Sequence, residues 1–302
     1  MPEIAVIIPC YNEALSIEKV ISDFKLYLPL AKIYVYDNNS NDGTGDIAKK
    51  AGAIVRIEKK QGKGCVVRRM FRDVEADYYI MADGDATYQI SKAPQMLDFL
   101  INNKLDMVVG RRVAVDAGMA YRFCHVSGNK LFTFLISLLF GQAFEDVFSG
   151  YRVLSRRFVK SFSVSFSSFE IETELAIHAL DQNLSIAEIE TEYYPRPNGS
   201  RSKLNTYRDG LKILLAIVYF TRHNKPILFY GTISLFLFLV SIVLAVPIIA
   251  NFIAVGTVER LPTAVLCTGL SIISTISMAC GLILDSVSKM GRSLKQLHYL
   301  SQ

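Results

Sequence analysis

The stretch Tyr78-Tyr79-Ile80-Met81-Ala82-Asp83-Gly84-Asp85 decides the fold. Its first four residues form a short apolar and aromatic run, which predicts a buried strand; the acid–glycine–acid that follows predicts a turn at the strand's C-terminal end. Two carboxylates at i and i+2 on such a turn can face one hard cation, and that cation can neutralise a diphosphate. A lone Asp-x-Asp pair more often marks a solvated turn, so its surroundings carry the weight.

Upstream, Ile4–Ile8 predicts a first strand ended by Pro9, and Ala14–Tyr27 has helical spacing, with Leu15, Ile17, Val20, Ile21 and Phe24 largely on one face. Ile33–Tyr36 and Ile54–Ile57 predict two more strands. Strand–helix repetition of this kind predicts an α/β fold with a parallel, doubly wound sheet and its site at the strands' C-terminal ends. Three features meet the Asp-x-Asp pair at that edge: Pro9-Cys10-Tyr11-Asn12-Glu13, Asp37 with its polar loop to Gly43, and the glycine turn Gln61-Gly62-Lys63-Gly64. Asp37 has a plainer reading as the stabiliser of an Asx-type turn.

The second half changes character. The chain has 302 residues, 51% hydrophobic, and the excess lies beyond about position 210. Two stretches, Ile227–Ile253 and Leu261–Leu284, are long enough to span a bilayer. Arg222 and Lys225 precede the first, Lys289, Arg292 and Lys295 follow the second, and only Glu259 and Arg260 lie between. The positive-inside bias then places both ends in the cytoplasm. Leu211–Phe220 predicts a juxtamembrane helix, and Lys130–Gly141, too short to span, predicts an interfacial helix or a buried one. The expected divisions are a catalytic domain over 1–206, an amphipathic helix over 207–226, two spans over 227–287 and a basic tail over 288–302.

Net charge of +5 suits anionic lipid or phosphorylated substrates, and with no Trp and no basic run interleaved with aromatics, nucleic acid is not an expected partner. Cys10, Cys65, Cys124, Cys267 and Cys280 form no metal or disulfide pattern, which predicts reduced thiols. The N-terminus has no basic n-region or cleavage site, so no signal peptide is expected. His125, His178 and His223 are expected to be ordinary helix or interfacial residues. Arg156 and Arg157 are expected at the surface or near lipid headgroups. Glu170, Glu172 and Glu174 recur at i, i+2 and i+4, so a helix would bring at most one or two of them to a site.

The segments IIPCYNE (7–13), DNNSNDGT (37–44), QGKG (61–64), ADGD (82–85) and EDVFSGYRVLSRR (145–157) stand in the order found in family-2 inverting glycosyltransferases. The chain resembles that family from residue 4 to about 205. Within it, the chain is similar to the polyprenyl-phosphate glycosyltransferases of the dolichol-phosphate mannose synthase and bactoprenol glucosyltransferase type. Arg196–Lys203 resembles their R-x-x-G-x-S-K-like segment. The resemblance implies a GT-A, Rossmann-like doubly wound sheet with interfacial helices and a C-terminal two-helix transmembrane hairpin.

It also implies roles. Pro9, Tyr11 and Glu13 would line the nucleotide pocket, Asp37 would bond the base, and Lys63 would stand at phosphate level. Asp83 and Asp85 would hold Mg²⁺ or Mn²⁺. Arg112, with Arg111 beside it, matches an arginine after the fifth strand that binds acceptor phosphate, and Arg122 aligns loosely with a second. Ser149, Gly150 and Arg152 match a loop that closes over the sugar, Glu172 lines the site, and Arg201 and Lys203 sit near the diphosphate. Thr87 stands where the mannose synthases carry Gln, which points to a UDP-sugar rather than GDP-mannose.

The expected reaction is transfer from a nucleotide sugar to a membrane polyprenyl phosphate, with inversion, by a plasma-membrane protein whose catalytic domain faces the cytoplasm. The bactoprenol branch suggests a homo-oligomer, a tetramer. A processive polysaccharide synthase would need a Q-x-x-R-W segment, and the chain has no Trp. A transferase with a soluble or protein acceptor and a non-catalytic nucleotide-sugar sensor are the other readings.

Overall fold

The structure is a computed structural model and describes residues 2–115, 132–134, 136, 138–139, 144–162, 171–197 and 206–300. The chain divides into two compact units, Met1–Leu215 with Lys295–Gln302, and Ala216–Leu294.

The first unit is built on a seven-stranded sheet: β1 (Ile4–Cys10), β2 (Lys32–Asp37), β3 (Ile54–Ile57), β4 (Tyr78–Met81), β5 (Met107–Ala114), β6 (Arg152–Ser155) and β7 (Ile186–Tyr193). The spatial order is β3-β2-β1-β4-β6-β5-β7. β1 to β4 are mutually parallel and β7 runs parallel to β5. Within this largely parallel sheet β6 is the exception, running antiparallel between β4 and β5. The inner strands are continuous apolar runs because helices cover both faces: Ala5 to Ile8, Tyr79 to Met81 and Met107 to Val109 are all buried.

Around the sheet lie α1 (Ile17–Tyr27), α2 (Thr44–Lys50), α3 (Lys63–Asp73), α4 (Ala93–Asn102), α5 (Arg156–Ser161) and α6 (Ile171–Asp181). Ile17, Val20, Ile21 and Phe24 form the buried stripe of α1. This helix starts three residues later than its apolar spacing suggests. Glu13 folds into a turn, its carbonyl accepting the amides of Ser16 and Ile17. Ser155 caps α5 by accepting the Phe158 amide.

Three further helices follow: α7 (Thr206–Asn224), α8 (Pro226–Val255) and α9 (Leu261–Leu300). α8 and α9 are long and apolar enough to cross a membrane, with mean hydropathy 2.9 and 1.9 over their best windows. Only 11% and 17% of those windows are buried, unlike the core helices of a soluble protein. α9 runs past the expected end at Leu284, so residues 288–300 are helical. Serines join the pair in the second unit. Ser234 and Ser274 exchange hydroxyl-to-carbonyl hydrogen bonds at 2.9 Å each way, and Ser241 donates to the Cys267 carbonyl at 2.8 Å. Gly281 lets the helices close: a Cβ there would sit 3.1 Å from that of Tyr230.

Of Lys130–Gly141, residues 132–134, 136, 138 and 139 are described and helical. Thr133 and Ile136 are buried while Phe134 and Leu138 are exposed.

Candidate active site

The four parallel strands deliver their following loops to one edge, and side chains then stitch those loops together. Cys10 and Asp37 are register partners at the ends of β1 and β2. The Glu13 amide donates to Thr44 Oγ1 at 2.9 Å, and Ser16 Oγ donates to the Gly84 carbonyl at 2.7 Å, fixing the Asp-Gly-Asp turn against the loop after β1. Asn38 donates to the carbonyls of Glu58 and Lys60 and accepts the Gly62 amide at 2.7 Å, which sets the start of α3. Ala86 takes φ +57°, a left-handed conformation held directly after the carboxylate pair.

Four carboxylates and two cations form the centre. Lys63, the first residue of α3, places its ammonium between Asp83 and Glu172. Arg196, just beyond β7, places its guanidinium 2.6 Å from Asp85 and 3.6 Å from Glu13. Thr87 Oγ1 donates to Asp85 at 2.6 Å. Burial, followed by the neighbouring Asp83, pushes the Asp85 carboxyl above the usual carboxylate range, against the pull of Arg196 and Thr87. Burial works against the Lys63 ammonium, but Asp83 and Glu172 outweigh it and raise its pKa.

Gly150 lies over this centre. A Cβ there would stand 2.7 Å from Asp83 Oδ2 and 3.1 Å from Lys63 Nζ, so only glycine lets the chain cross the ion pair. The Gly150 amide donates to the Tyr88 hydroxyl at 2.9 Å.

The structure brings together most of the expected residues it describes. Asp83, Asp85, Lys63, Glu172 and Glu13 are linked by the contacts above, with Pro9 buried at the end of β1 and Tyr11 partly exposed after it. Asp37 is buried and accepts the Ser40 amide at 3.0 Å, the turn-stabilising bond of its plainer reading. Arg112 lies near the end of β5, held in a fork by Asp146 at 2.6 and 2.7 Å and over the Tyr193 ring. Arg111 instead pairs with Glu145 and Glu190. Arg122, Arg201 and Lys203 lie outside the described residues, as do Cys124, His125 and Glu170.

Two expectations need correction. Arg152 is not on a loop over the sugar: it opens β6, fully buried, donating to the carbonyls of Ser149, Val147 and Glu172. Burial lowers its pKa to about 10. Ser149 is fully buried too, donating to the Gly110 carbonyl at 2.6 Å. Both brace the chain beneath Gly150 because their polar groups serve backbone carbonyls. His178 is an α6 residue, packed between Phe158 and Phe162 and 3.2 Å from Ser161 Oγ. Arg157 is exposed, as expected, and also lies over the Tyr299 ring.

Arg196 had no separate role in the sequence reading. Its signal was its place as the first residue of the Arg196–Lys203 segment.

Asp83 and Asp85 are the hard oxygen donors that Mg²⁺ or Mn²⁺ takes. Among the described residues no group of three or more His, Cys, Asp or Glu is arranged to hold a metal. Two carboxylates would leave most positions of such an ion open to ligands from outside the described residues.

Comparison with known proteins extends the picture. Protein RfbJ of Shigella flexneri is 57% identical over 122 residues, 40% of this chain and 95% of that protein. Glycosyltransferase AglJ of Haloferax volcanii is 33% identical over 233 residues, 76% of each chain. A dolichyl-phosphate hexose transferase of the same organism is 32% identical over 154 residues, 51% of this chain and 67% of that one. Among solved structures, glucosyl-3-phosphoglycerate synthase from Mycobacterium tuberculosis superposes with TM-score 0.59 at 20% identity, covering 72% of this chain and 79% of that one. At that identity the likeness is one of fold. The sequence profile described as Glycosyl transferase family 2 matches residues 5–162, from β1 to the end of α5, and with the AglJ alignment it shows that this chain belongs to glycosyl transferase family 2.

Proposed function

We propose that this glycosyltransferase moves a sugar from a UDP-sugar to the phosphate of a membrane polyprenyl phosphate, inverting the anomeric centre. One observation carries the reading: a family-2 domain with paired acidic residues at its sheet edge shares a chain with two helices long and apolar enough to cross a bilayer. The likeness to a dolichyl-phosphate hexose transferase supports a lipid phosphate acceptor. Thr87, where the mannose synthases have Gln, supports a UDP-linked donor.

The chemistry asks for little base assistance. A polyprenyl phosphate is already anionic near neutrality, so its oxygen attacks the anomeric carbon as the bond to the nucleoside diphosphate breaks. Positioning and charge handling then account for most of the catalysis. Asp83 and Asp85 would hold Mg²⁺ or Mn²⁺, which supplies positive charge to the departing diphosphate. Pro9, Tyr11, Glu13 and Asp37 would receive the nucleoside. Arg112, oriented by Asp146, would hold the acceptor phosphate with Arg122, while Arg201 and Lys203 would close on the diphosphate. Lys63 and Glu172 fix Asp83 from behind.

The flanking cations support cytoplasmic termini and a cytoplasmic catalytic domain at the plasma membrane. Association of copies through the apolar helices follows the bactoprenol branch. The test incubates the purified full chain with a short polyprenyl phosphate, Mg²⁺ or Mn²⁺ and a panel of nucleotide sugars. The expected product is a polyprenyl-phosphate sugar by mass. Nucleotide-sugar binding without turnover on any lipid phosphate would refute the proposal and favour a sensor.

A further inference from the structure

Consecutive residues reach the two carboxylates of the acidic pair. Thr87 Oγ1 donates to Asp85, and the Tyr88 hydroxyl stands 3.5 Å from Asp83 Oδ2, the long end of such bonds. The backbone beneath them is fixed from outside the turn. The Tyr194 amide donates to the Thr87 carbonyl at 2.8 Å, and Tyr88 forms a β-bridge with Tyr193 at the end of β7. The Tyr88 ring is buried, with the Tyr151 and Tyr193 rings at 5.4 and 5.5 Å. A phenol has one proton to give. The Tyr88 oxygen already accepts the Gly150 amide at 2.9 Å, which leaves that proton to point at Asp83.

We infer that Tyr88 is a positioning residue: it sets the rotation of the Asp83 carboxylate and ties it to the chain that crosses at Gly150. This rests on the reading that Asp83 and Asp85 hold the donor's cation. Lys63 takes Oδ1 of Asp83 and Tyr88 takes Oδ2, so the carboxylate is held at both oxygens before any ligand arrives. Gly150 crowds the same Oδ2, since a Cβ there would lie 2.7 Å from it. Without the phenol hydroxyl the Gly150 amide loses its acceptor, and Asp83 keeps Lys63 but loses its hold on the second oxygen. Groups that orient a metal ligand in this way carry about 10–100-fold in metal affinity. Tyr88 acts through Asp83. Its packing between two rings and its pinned backbone make the hydroxyl's place a property of the fold, set independently of donor or cation.

The test reads Mn²⁺ binding in the presence of UDP, by the electron paramagnetic resonance signal of the free ion, on the full chain in detergent. Tyr88→Phe keeps the ring and removes only the hydroxyl, so the Mn²⁺ dissociation constant should rise about tenfold. Tyr151→Phe is the control. Its hydroxyl is buried on the neighbouring ring and has no hydrogen-bond partner among the described residues, so its loss should leave Mn²⁺ affinity unchanged. Tyr88→Met also lacks the hydroxyl and replaces the Phe variant if that one does not fold; its constant should rise at least as far. Wild-type Mn²⁺ affinity in the Tyr88 variant would overturn the role of Tyr88. Equal weakening by the Tyr88 and Tyr151 variants would overturn it too, because the loss would then trace to loosened packing. Absence of any UDP-dependent Mn²⁺ binding by the wild type would instead overturn the donor–cation reading itself.

Discussion

Gly84, between the two acidic residues, offers a quantitative test of how the site is held. A Cβ at this position would lie 2.5 Å from Cys10 Sγ, with Ile17 Cδ1 at 3.4 Å and Ile8 Cγ2 at 3.6 Å closing other sides. Ordinary non-bonded contact needs about 3.5–4.0 Å, so Gly84→Ala must move the turn or the thiol by about 1 Å. Cys10 is buried, and Ser16 pins the Gly84 carbonyl, so little slack is available. Overpacking of this size costs about 1–3 kcal/mol of stability. If the acidic pair positions the donor diphosphate as proposed, a shift of about 1 Å there costs about 10²-fold in turnover. Cys10→Ala removes the obstructing sulfur, so Gly84→Ala/Cys10→Ala should regain most of the activity and stability that Gly84→Ala loses. Steady-state transfer rates and thermal melts on the wild type, both single variants and the double variant close the cycle. Wild-type turnover for Gly84→Ala, or additive losses in the double variant, would refute the packing argument.

Two other outcomes follow from the buried ionisable groups. The native Asp85 carboxyl binds its proton more tightly than the unfolded chain's, whose value lies near 3.8, so its ionisation lowers stability as pH rises through the native pKa. Asp85→Asn should therefore abolish transfer yet raise the melting temperature at pH 7, the gain fading below pH 4; a lower melting temperature at pH 7 would contradict this. His178 behaves oppositely: burial, then Lys295, lowers it from 6.5 to about 3, so the fold loses stability as pH falls below 6.5. The linkage gives about 2 kcal/mol lost by pH 5, measurable as a drop in denaturant midpoint that His178→Phe should lack.

The sheet was legible where apolar runs end in turn residues. Ile54–Ile57 and Tyr78–Met81 coincide with β3 and β4, and the acidic pair lies where such a strand end should put it. β6 was not legible: it has four residues, opens on an arginine, and belongs to a segment whose motif suggests a loop. No local pattern shows that Arg152 is buried, because the three carbonyls it serves come from folded neighbours, one of them on α6. The same holds for Lys63 and Glu172, which meet across more than a hundred residues. Arg112 and Asp146 are 34 residues apart, so their fork is equally a product of the fold. The helix pair was legible by length and hydropathy, but its seam was not, since serines at 234, 241 and 274 are inconspicuous in apolar sequence.

That seam has a consequence for how the protein can be inherited. In hydrocarbon, lipid tails are as apolar as leucine, so greasy surface alone does not choose a partner helix; small residues and hydrogen bonds do, at about 0.6 kcal/mol per bond. α8 and α9 carry their own recognition code in Ser234, Ser241, Ser274 and Gly281. Spliced onto a different enzyme, such a pair should still close on itself, and loss of helix pairing in that fusion would refute the code. Selection on sugar choice can rework loops elsewhere in the chain while leaving this lock untouched.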